Sequence, residues 1–211
     1  MALKDFYEER VLPRIIDLTC SDRMTGKWRI QSLAGVHGEV LEVGFGSGTN
    51  LAHYPAAVER VDAVEPSDLA WERARSAVRD FGRPVRRVGL DGAALVLDDA
   101  SVDAVVSSYT MCTIPDLDTA LAEFQRVLRP GGMLHFVEHS LSPDAAVAAR
   151  QRRIQPMWGR LAGGCHLIRD IPALVTGSGF TMASLETFYA PGPKISRPFG
   201  WMTVGRATVP E

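Results

Sequence analysis

A glycine-rich turn directly after a short strand-like segment sets strict limits on how this chain can fold. The predicted strand covers residues 39–44, and Gly44, Gly46 and Gly48 follow within one loop. A turn this sharp needs glycines, because side chains would collide with a ligand lying against the backbone. The spacing is G-x-G-x-G, since Thr49 stands where nicotinamide and flavin enzymes carry their last glycine. The loop therefore predicts a ligand-binding strand-loop-helix unit, or else a tight turn without ligand.

Two carboxylates beside this loop indicate the kind of ligand. Glu42 lies just before the glycines, where it would repel a pyrophosphate and favour a positively charged group. Glu65 ends the second predicted strand, at the offset of about 20 residues from which an acidic residue can hydrogen-bond ribose hydroxyls. The alternative for Glu65 is a solvated strand end before the helix-capping Ser67. Together the two carboxylates favour a cationic, ribose-containing ligand over a phosphorylated one.

Strand-like and helix-like segments alternate along the middle of the chain. Consecutive apolar residues predict buried parallel strands, and apolar residues at helical spacing predict the helices between them. This alternation predicts an α/β fold of right-handed βαβ units, with ligands at the carboxyl ends of the strands. The predicted strands cover residues 39–44, 60–65, 84–89, 103–108 and 133–138, and the predicted helices cover 67–79 and 117–128, the second ending in a turn at 129–132.

The whole chain is predicted to be a single domain, since its 211 residues suit one α/β sheet with added helices. The sheet would have seven strands, mostly parallel, with helices on both of its faces. The predicted parts are an N-terminal helical lid (1–35), a ligand-binding half (36–140) and a substrate-side part (141–211) with helices up to residue 179 and terminal strands at 181–188 and 199–208.

Composition and charge exclude several classes of protein. The formal net charge of -2 and the sequence pI of 6.2 give no overall positive field, so no nucleic-acid partner is expected. No apolar run reaches membrane-spanning length and the first residues do not form a signal sequence, so a cytoplasmic location is expected. The sequence carries no signal for oligomeric state.

The cysteines Cys20, Cys112 and Cys165 are widely separated along the chain. They lack the CxxC spacing that is typical of zinc sites, and an odd number of cysteines does not suit a disulfide framework. The sequence therefore predicts no metal site and a reducing environment.

Residues 36–139 resemble the class I S-adenosylmethionine-dependent methyltransferases. The run 40–48 looks like their first motif, and residues 61–65 look like the acidic strand that holds the ribose. Residues 90–99 correspond to the loop around the adenine, although Ala93 stands where an acidic residue is common. The resemblance implies a Rossmann-like class I methyltransferase fold with S-adenosylmethionine as cofactor. The residues that it implies in the cofactor site are Glu42, Gly44, Gly46, Gly48, Asn50, Glu65, Pro66, Ser67, Asp91, Gly92, Ser107 and Ser108.

Short segments along nearly the whole chain are similar to bacterial relatives of the microsomal alkyl-thiol S-methyltransferases. These segments are residues 6–13, 111–113, 137–139 and 164–170. The resemblance implies a small thiol or hydrosulfide as methyl acceptor and S-adenosylhomocysteine as product. The microsomal enzymes carry an N-terminal membrane anchor, which is not expected here, whereas peripheral membrane contact stays open. The substrate-side residues that it implies are Tyr7, Cys112, Cys165, His166 and Arg169.

Glu138 and His139, at the predicted end of the fifth strand, are the candidate catalytic residues. Methyl transfer chiefly needs alignment of the acceptor and exclusion of water. A thiol with a pKa of about 8.5 would also be helped by a base or a positive field, and histidine suits that role. The alternative for His139 is a structural role, such as capping a helix.

Two other functions are open on sequence alone. A phospholipid or quinone methyltransferase would need an apolar channel between the N-terminal helices and residues 143–179. A non-catalytic S-adenosylmethionine-binding protein would hold the cofactor without leaving space beside its methyl group. A screen of thiol, amine, phenol and lipid acceptors would separate these functions.

Overall fold

The computed structural model describes residue 11 and residues 22–209, and its centre is one seven-stranded sheet. The strand order is β3-β2-β1-β4-β5-β7-β6, in which β1 to β5 run parallel and β7 runs antiparallel to both neighbours. The predicted mostly parallel sheet of seven strands is therefore confirmed. The strands are β1 (Gly38–Val43), β2 (Val58–Val64), β3 (Val85–Gly89), β4 (Val102–Ser108), β5 (Leu128–His139), β6 (Thr181–Tyr189) and β7 (Trp201–Thr208).

Six α-helices and two short 3₁₀ helices connect the strands within the described ranges. Side-chain caps begin several of them, and Ser67 accepts a hydrogen bond from the Ala70 backbone N–H as the sequence predicts. Within residues 22–209 no helix is both long and apolar enough to cross a bilayer. The helices are α1 (Asp22–Ser32), α2 (Asp68–Arg73), α3 (Arg75–Phe81), α4 (Leu117–Val127), α5 (Ala145–Leu161) and α6 (Ile171–Gly177), and the 3₁₀ helices are Thr49–His53 and Lys194–Phe199.

Alternate residues of the central strands face opposite cores. Leu41 and Val105 belong to a buried cluster that α4 and α6 cover. Val40 and Val106 face the other side, where α3 and the first 3₁₀ helix pack. This alternation follows from the period of two in a strand, and it places helices on both faces of the sheet. The carboxyl ends of β1, β2, β4 and β5 are left at one shared edge.

Three predicted elements differ in detail from the structure. The glycine loop leads into a 3₁₀ helix and not a full α-helix, because Pro55 favours an extended Tyr54 and ends the helix there. The predicted helix 67–79 is divided at Ala74 into α2 and α3. The predicted turn 129–132 is a bulge within β5, which is why Val102 pairs with Leu128 and Ala104 already pairs with Met133.

The predicted N-terminal lid can be compared only in part. Its second helix corresponds to α1, which packs against the sheet through contacts with β5, β7 and the first 3₁₀ helix. Most of the first predicted helix, including Tyr7, lies outside the described residues.

Candidate active site

The glycine loop combines tight packing with one open position. Gly44, Gly46 and Gly48 all have left-handed backbones, with φ values of 77°, 58° and 76°. A side chain at Gly44 would collide with Thr110 in the turn after β4, so this turn lies directly against the loop. A Cβ at Gly46, in contrast, would meet no atom within 4 Å. The loop therefore leaves space for a ligand beside Gly46.

Glu65 joins the end of β2 to this loop. Its carboxylate is buried and accepts hydrogen bonds of 2.7 Å from the backbone N–H groups of Gly46 and Ser67. Pro66 lies between Glu65 and Ser67 in the sequence. A carboxylate accepts several hydrogen bonds at once, so this arrangement can also receive hydroxyl donors. The structure thus brings Glu65 and the glycine loop together, as the spacing predicts.

A buried polar network lies beneath the loop around Glu42. The carboxylate accepts hydrogen bonds of 2.8 Å from the Asn50 side-chain amide and from the Tyr54 hydroxyl. Burial raises the pKa of Glu42 to about 7, against the lowering effect of these hydrogen bonds and of Arg29. The same Asn50 amide donates to the Ser108 hydroxyl at 3.1 Å. Glu42 is therefore poised between its protonated and ionised forms at neutral pH.

Arg29 completes this network and was missed by the sequence analysis. Its guanidinium donates to the Asn50 side-chain oxygen at 2.7 Å and to Thr25 at 3.2 Å, and it lies over the Tyr109 ring at 5.2 Å. Tyr109 itself has a left-handed backbone with φ of 59°, which is costly for a residue with a side chain. The only available signal was a charged residue between Trp28 and Ile30 in a helical segment.

The predicted adenine loop contributes one packed and one exposed residue. A Cβ at Gly92 would come within 2.8 Å of the Val43 side chain, so only glycine lets this loop pack on the end of β1. Asp91 is exposed and accepts a 2.9 Å hydrogen bond from the Ala93 backbone N–H. The loop therefore lies at the same edge as the glycine turn.

Glu138 holds the turn that follows β4. One carboxylate oxygen accepts the Ser107 hydroxyl at 2.8 Å and the backbone N–H groups of Thr110 and Met111 at 2.9 Å. The other oxygen accepts the Cys112 backbone N–H at 3.2 Å. Burial raises the pKa of this carboxyl, while the hydrogen bonds oppose that rise. Its oxygens are engaged with the protein, which makes Glu138 a positioning residue for the turn.

Cys112, His139 and Cys165 form a compact cluster beside this turn. The two sulfur atoms lie 3.6 Å apart although 53 residues separate the cysteines in the chain. The potential ligand atoms of all three side chains lie within 4.8 Å of one another. The sequence predicts no metal site because the cysteines are widely spaced along the chain. Folding nevertheless brings Cys112 and Cys165 together.

The pKa values of the three side chains in the cluster are shifted in different directions. The hydrogen bond between the sulfurs lowers the pKa of Cys165 to about 4 and raises that of Cys112 well above its ordinary value. Burial lowers the pKa of His139, but its hydrogen bond with Cys165 and the charges of Cys165 and Glu138 outweigh burial and raise it overall. Of the two thiols, Cys165 is therefore the more readily ionised, because Cys112 and His139 both lower its pKa.

The loop after α5 carries the other predicted substrate-side residues. The backbone N–H of His166 donates to the Cys112 carbonyl at 2.7 Å, which ties this loop to the turn after β4. The Arg169 guanidinium donates to the carbonyls of Met111 at 2.7 Å and Pro115 at 3.2 Å. Both residues thus connect the loop after α5 to the segment around Cys112.

Comparisons with known proteins agree with this fold. The family profile described as a methyltransferase domain matches residues 41–136. Among solved structures, the chain is similar to geranyl diphosphate methyltransferase in complex with S-adenosylmethionine, with a TM-score of 0.66 and 16% identity. That similarity covers 96% of this chain and 90% of the other. The shared architecture is that of Rossmann-like methyltransferases.

Two curated relatives are similar over most of the chain. One is thiol S-methyltransferase TMT1B of Rattus norvegicus, with 32% identity over 185 residues, which cover 84% of this chain and 72% of that protein. The other is thiol S-methyltransferase TMT1A of Homo sapiens, with 32% identity over 177 residues, covering 77% and 68%. The chain belongs to the class I S-adenosylmethionine-dependent methyltransferases, and S-adenosylmethionine is its cofactor. Within that class, both of these relatives are thiol S-methyltransferases.

Proposed function

We propose that this protein methylates the sulfur atom of a small thiol or of hydrosulfide. The observation that carries the proposal is the cluster of Cys112, His139 and Cys165 at the carboxyl edge of the sheet. Its turn packs against the glycine loop, where the Thr110 side chain approaches Gly44. A soft, polarisable, largely buried cluster of this kind suits an acceptor sulfur better than an amine or a phosphate. The names of the two relatives support the same acceptor class.

The described residues fit the cofactor at several points. The open space beside Gly46 would accommodate a ligand against the loop backbone, and Glu65 would accept ribose hydroxyls in addition to its backbone donors. Glu42 would balance the positive charges of the amino-acid end from within its network. Asp91 and Gly92 would border the adenine. When bound, the cofactor supplies an electrophilic methyl group on a sulfonium.

The protein's own contribution is chiefly alignment of the acceptor. Glu138 holds the turn from Thr110 to Cys112 by three backbone hydrogen bonds, so that this side of the site keeps its shape. Such preorganisation matters because an in-line displacement depends steeply on geometry. We assign His139 the task of favouring the ionised form of the acceptor sulfur, since its hydrogen bond and charge lower the pKa of the neighbouring Cys165 thiol.

A matched pair of histidine variants tests the role of His139. His139→Asn should lower kcat for an alkyl thiol by about 100-fold or more, with little change in KM for S-adenosylmethionine. His37→Asn, at an exposed histidine, should keep the parent rate. If both variants turn over the thiol at the parent rate, His139 has no part in the reaction.

A lipid acceptor is a second candidate function. Met157 and Leu161 on α5 are more than half exposed, and Arg153 and Arg160 lie on the same helix. A helix with this composition suits contact with an anionic lipid surface. Methylation of phosphatidylethanolamine in vesicles, with no methylation of thiols, would favour this candidate.

A further inference from the structure

We propose that Cys112, Cys165 and His139 bind a soft divalent cation, Zn²⁺, and leave one coordination position for the sulfur of the acceptor. The binding site is inferred from these three side chains alone. The use of its open position rests on the proposed thiol methylation. Zinc commonly takes three protein ligands of this kind at catalytic sites, with a fourth position left for substrate.

The donor atoms and their separations match this ion. Two thiolates at a zinc–sulfur distance of about 2.3 Å in a tetrahedron lie about 3.8 Å apart. The sulfurs of Cys112 and Cys165 are 3.6 Å apart, and the ring of His139 offers a nitrogen within 4.8 Å of both. Rotation of the side chains would bring all three atoms to bonding distance of one ion. Thiolate and imidazole ligands select zinc over calcium or magnesium, which prefer oxygen.

The backbone of each cysteine is already held in place. Glu138 binds the Cys112 N–H, and the Cys112 carbonyl accepts the N–H of His166. The side chain of Gln155 donates to the Cys165 carbonyl at 3.0 Å and accepts the Leu167 N–H at 2.7 Å. The ligands therefore come from three separate segments whose relative positions are fixed before any ion binds.

The surroundings of His139 and Cys165 also suit a metal site. The ring of His139 interacts with the Phe199 backbone carbonyl as well as with Cys165. Metal-binding histidines usually have their second nitrogen held by such a carbonyl. The buried indole N–H of Trp158 packs against this cluster and makes no hydrogen bond of standard geometry within the described part of the chain.

The chemistry of the transfer then balances without any further reactant. The acceptor thiol loses its proton to solvent as its sulfur occupies the open position. An electron pair of that sulfur forms a bond to the methyl carbon while the methyl–sulfonium bond breaks and returns its pair to the cofactor sulfur. The products are a neutral methyl thioether, which is a weaker ligand and leaves, and S-adenosylhomocysteine.

Metal content and a cobalt spectrum test the site without any acceptor. The full chain, stripped with a chelator and then given Zn²⁺, should retain one equivalent through gel filtration by elemental mass spectrometry. Co²⁺ in place of Zn²⁺ should give a sulfur-to-cobalt charge-transfer band and the intense visible bands of a tetrahedral site. Cys112→Ser, Cys165→Ser and His139→Asn should each bind zinc at least tenfold more weakly, in line with the loss of a ligand.

Two further variants serve as matched controls. Cys20→Ser and His37→Asn change a cysteine and a histidine that are not among the three proposed ligands, and both variants should retain the parent zinc content. Circular dichroism would confirm that all five variants fold. Absence of the charge-transfer band in folded parent protein, or loss of zinc from the Cys20→Ser variant, would overturn the proposal. So would a Cys112–Cys165 disulfide in freshly purified protein that methylates thiols at its full rate.

The proposed metal site and the proposed thiol methylation can be refuted separately. Chelated protein should lose at least tenfold in thiol methylation and regain the rate with Zn²⁺. A chelated protein that keeps its full thiol activity contradicts the inferred metal role and leaves the thiol methyltransferase in place. A protein that binds Zn²⁺ and Co²⁺ as expected but does not methylate thiols retains the site and refutes the proposed acceptor.

Discussion

The backbone N–H of Gly46 donates a 2.7 Å hydrogen bond to the carboxylate of Glu65, which lies 19 residues further along the chain. This contact fixes the glycine loop against the end of β2 at the place where the cofactor would lie. Both partners are therefore expected to act on cofactor binding as well as on the stability of the fold.

Glu65→Gln should weaken the binding of S-adenosylmethionine by about 1.5–3 kcal/mol, the range of a hydrogen bond to a charged group. The glutamine side chain has the same size, but its NH₂ group cannot accept a hydrogen bond. One of the two backbone N–H groups therefore loses its acceptor. Titration calorimetry measures the change. Asp68→Asn is the control, because the Asp68 side chain is 90% exposed. Equal affinity of folded Glu65→Gln and parent protein would remove Glu65 from the cofactor site.

Gly46→Ala should weaken cofactor binding by roughly tenfold or more while the protein stays folded. The added methyl group enters the open space beside the loop, and the left-handed backbone costs about 1–2 kcal/mol of stability. Gly131→Ala carries the same backbone strain at φ of 78°, also with open space, but in the bulge of β5. It should lose similar stability and keep its affinity. Equal affinities of the two variants would contradict the placement of the cofactor.

Glu42 should make the protein less stable as the pH rises. Its folded pKa of about 7 lies above the ordinary 4.5, so its contribution is fully present below 4.5 and is lost as the pH rises through 7. Linkage over this interval is worth about 3 kcal/mol. Urea unfolding at about pH 5 and about pH 8 should show this fall in the parent and not in Glu42→Gln. An equal pH dependence in both proteins would show that Glu42 ionises normally.

Glu39→Gln is the control for this measurement. Its hydrogen bond with Arg129 holds the pKa of Glu39 below its ordinary value, with a further contribution from Arg60. Stability from Glu39 is therefore present above pH 4.5 and lost only as the pH falls below it. The Glu39→Gln variant should keep the parent's decline between the two measured pH values.

Glu138→Gln should destabilise the turn after β4. Its amide group cannot accept from the backbone N–H that faces it, and each buried donor left unpaired costs about 1–3 kcal/mol. The free energy of unfolding should fall by that amount, and kcat should fall with it because the turn aligns the acceptor. Glu59→Gln, at an exposed position of β2, should change neither quantity. A stable and fully active Glu138→Gln variant would refute the positioning role.

The parallel sheet and the contact between the glycine loop and Glu65 were predictable because their signals are local. The apolar runs of β1, β2 and β4 and the glycine spacing each lie within a few residues, and βαβ geometry sets the distance from the loop to Glu65. The contact of Arg29 with Asn50 was not predictable, since no local pattern states which helix face lies over which loop. The same holds for Cys112 and Cys165, whose loops meet only through tertiary packing.

The most direct test of the proposed function is a competition between acceptors for one labelled methyl group. Purified full-length protein receives S-adenosylmethionine with a labelled methyl and matched alkyl thiol, amine and phenol acceptors, with phosphatidylethanolamine vesicles in a parallel reaction. Labelled methyl thioether should be the main product, and kcat/KM for the thiol should be at least tenfold higher than for the amine, phenol and lipid acceptors. Labelled amine, ether or lipid together with an unmodified thiol would contradict it.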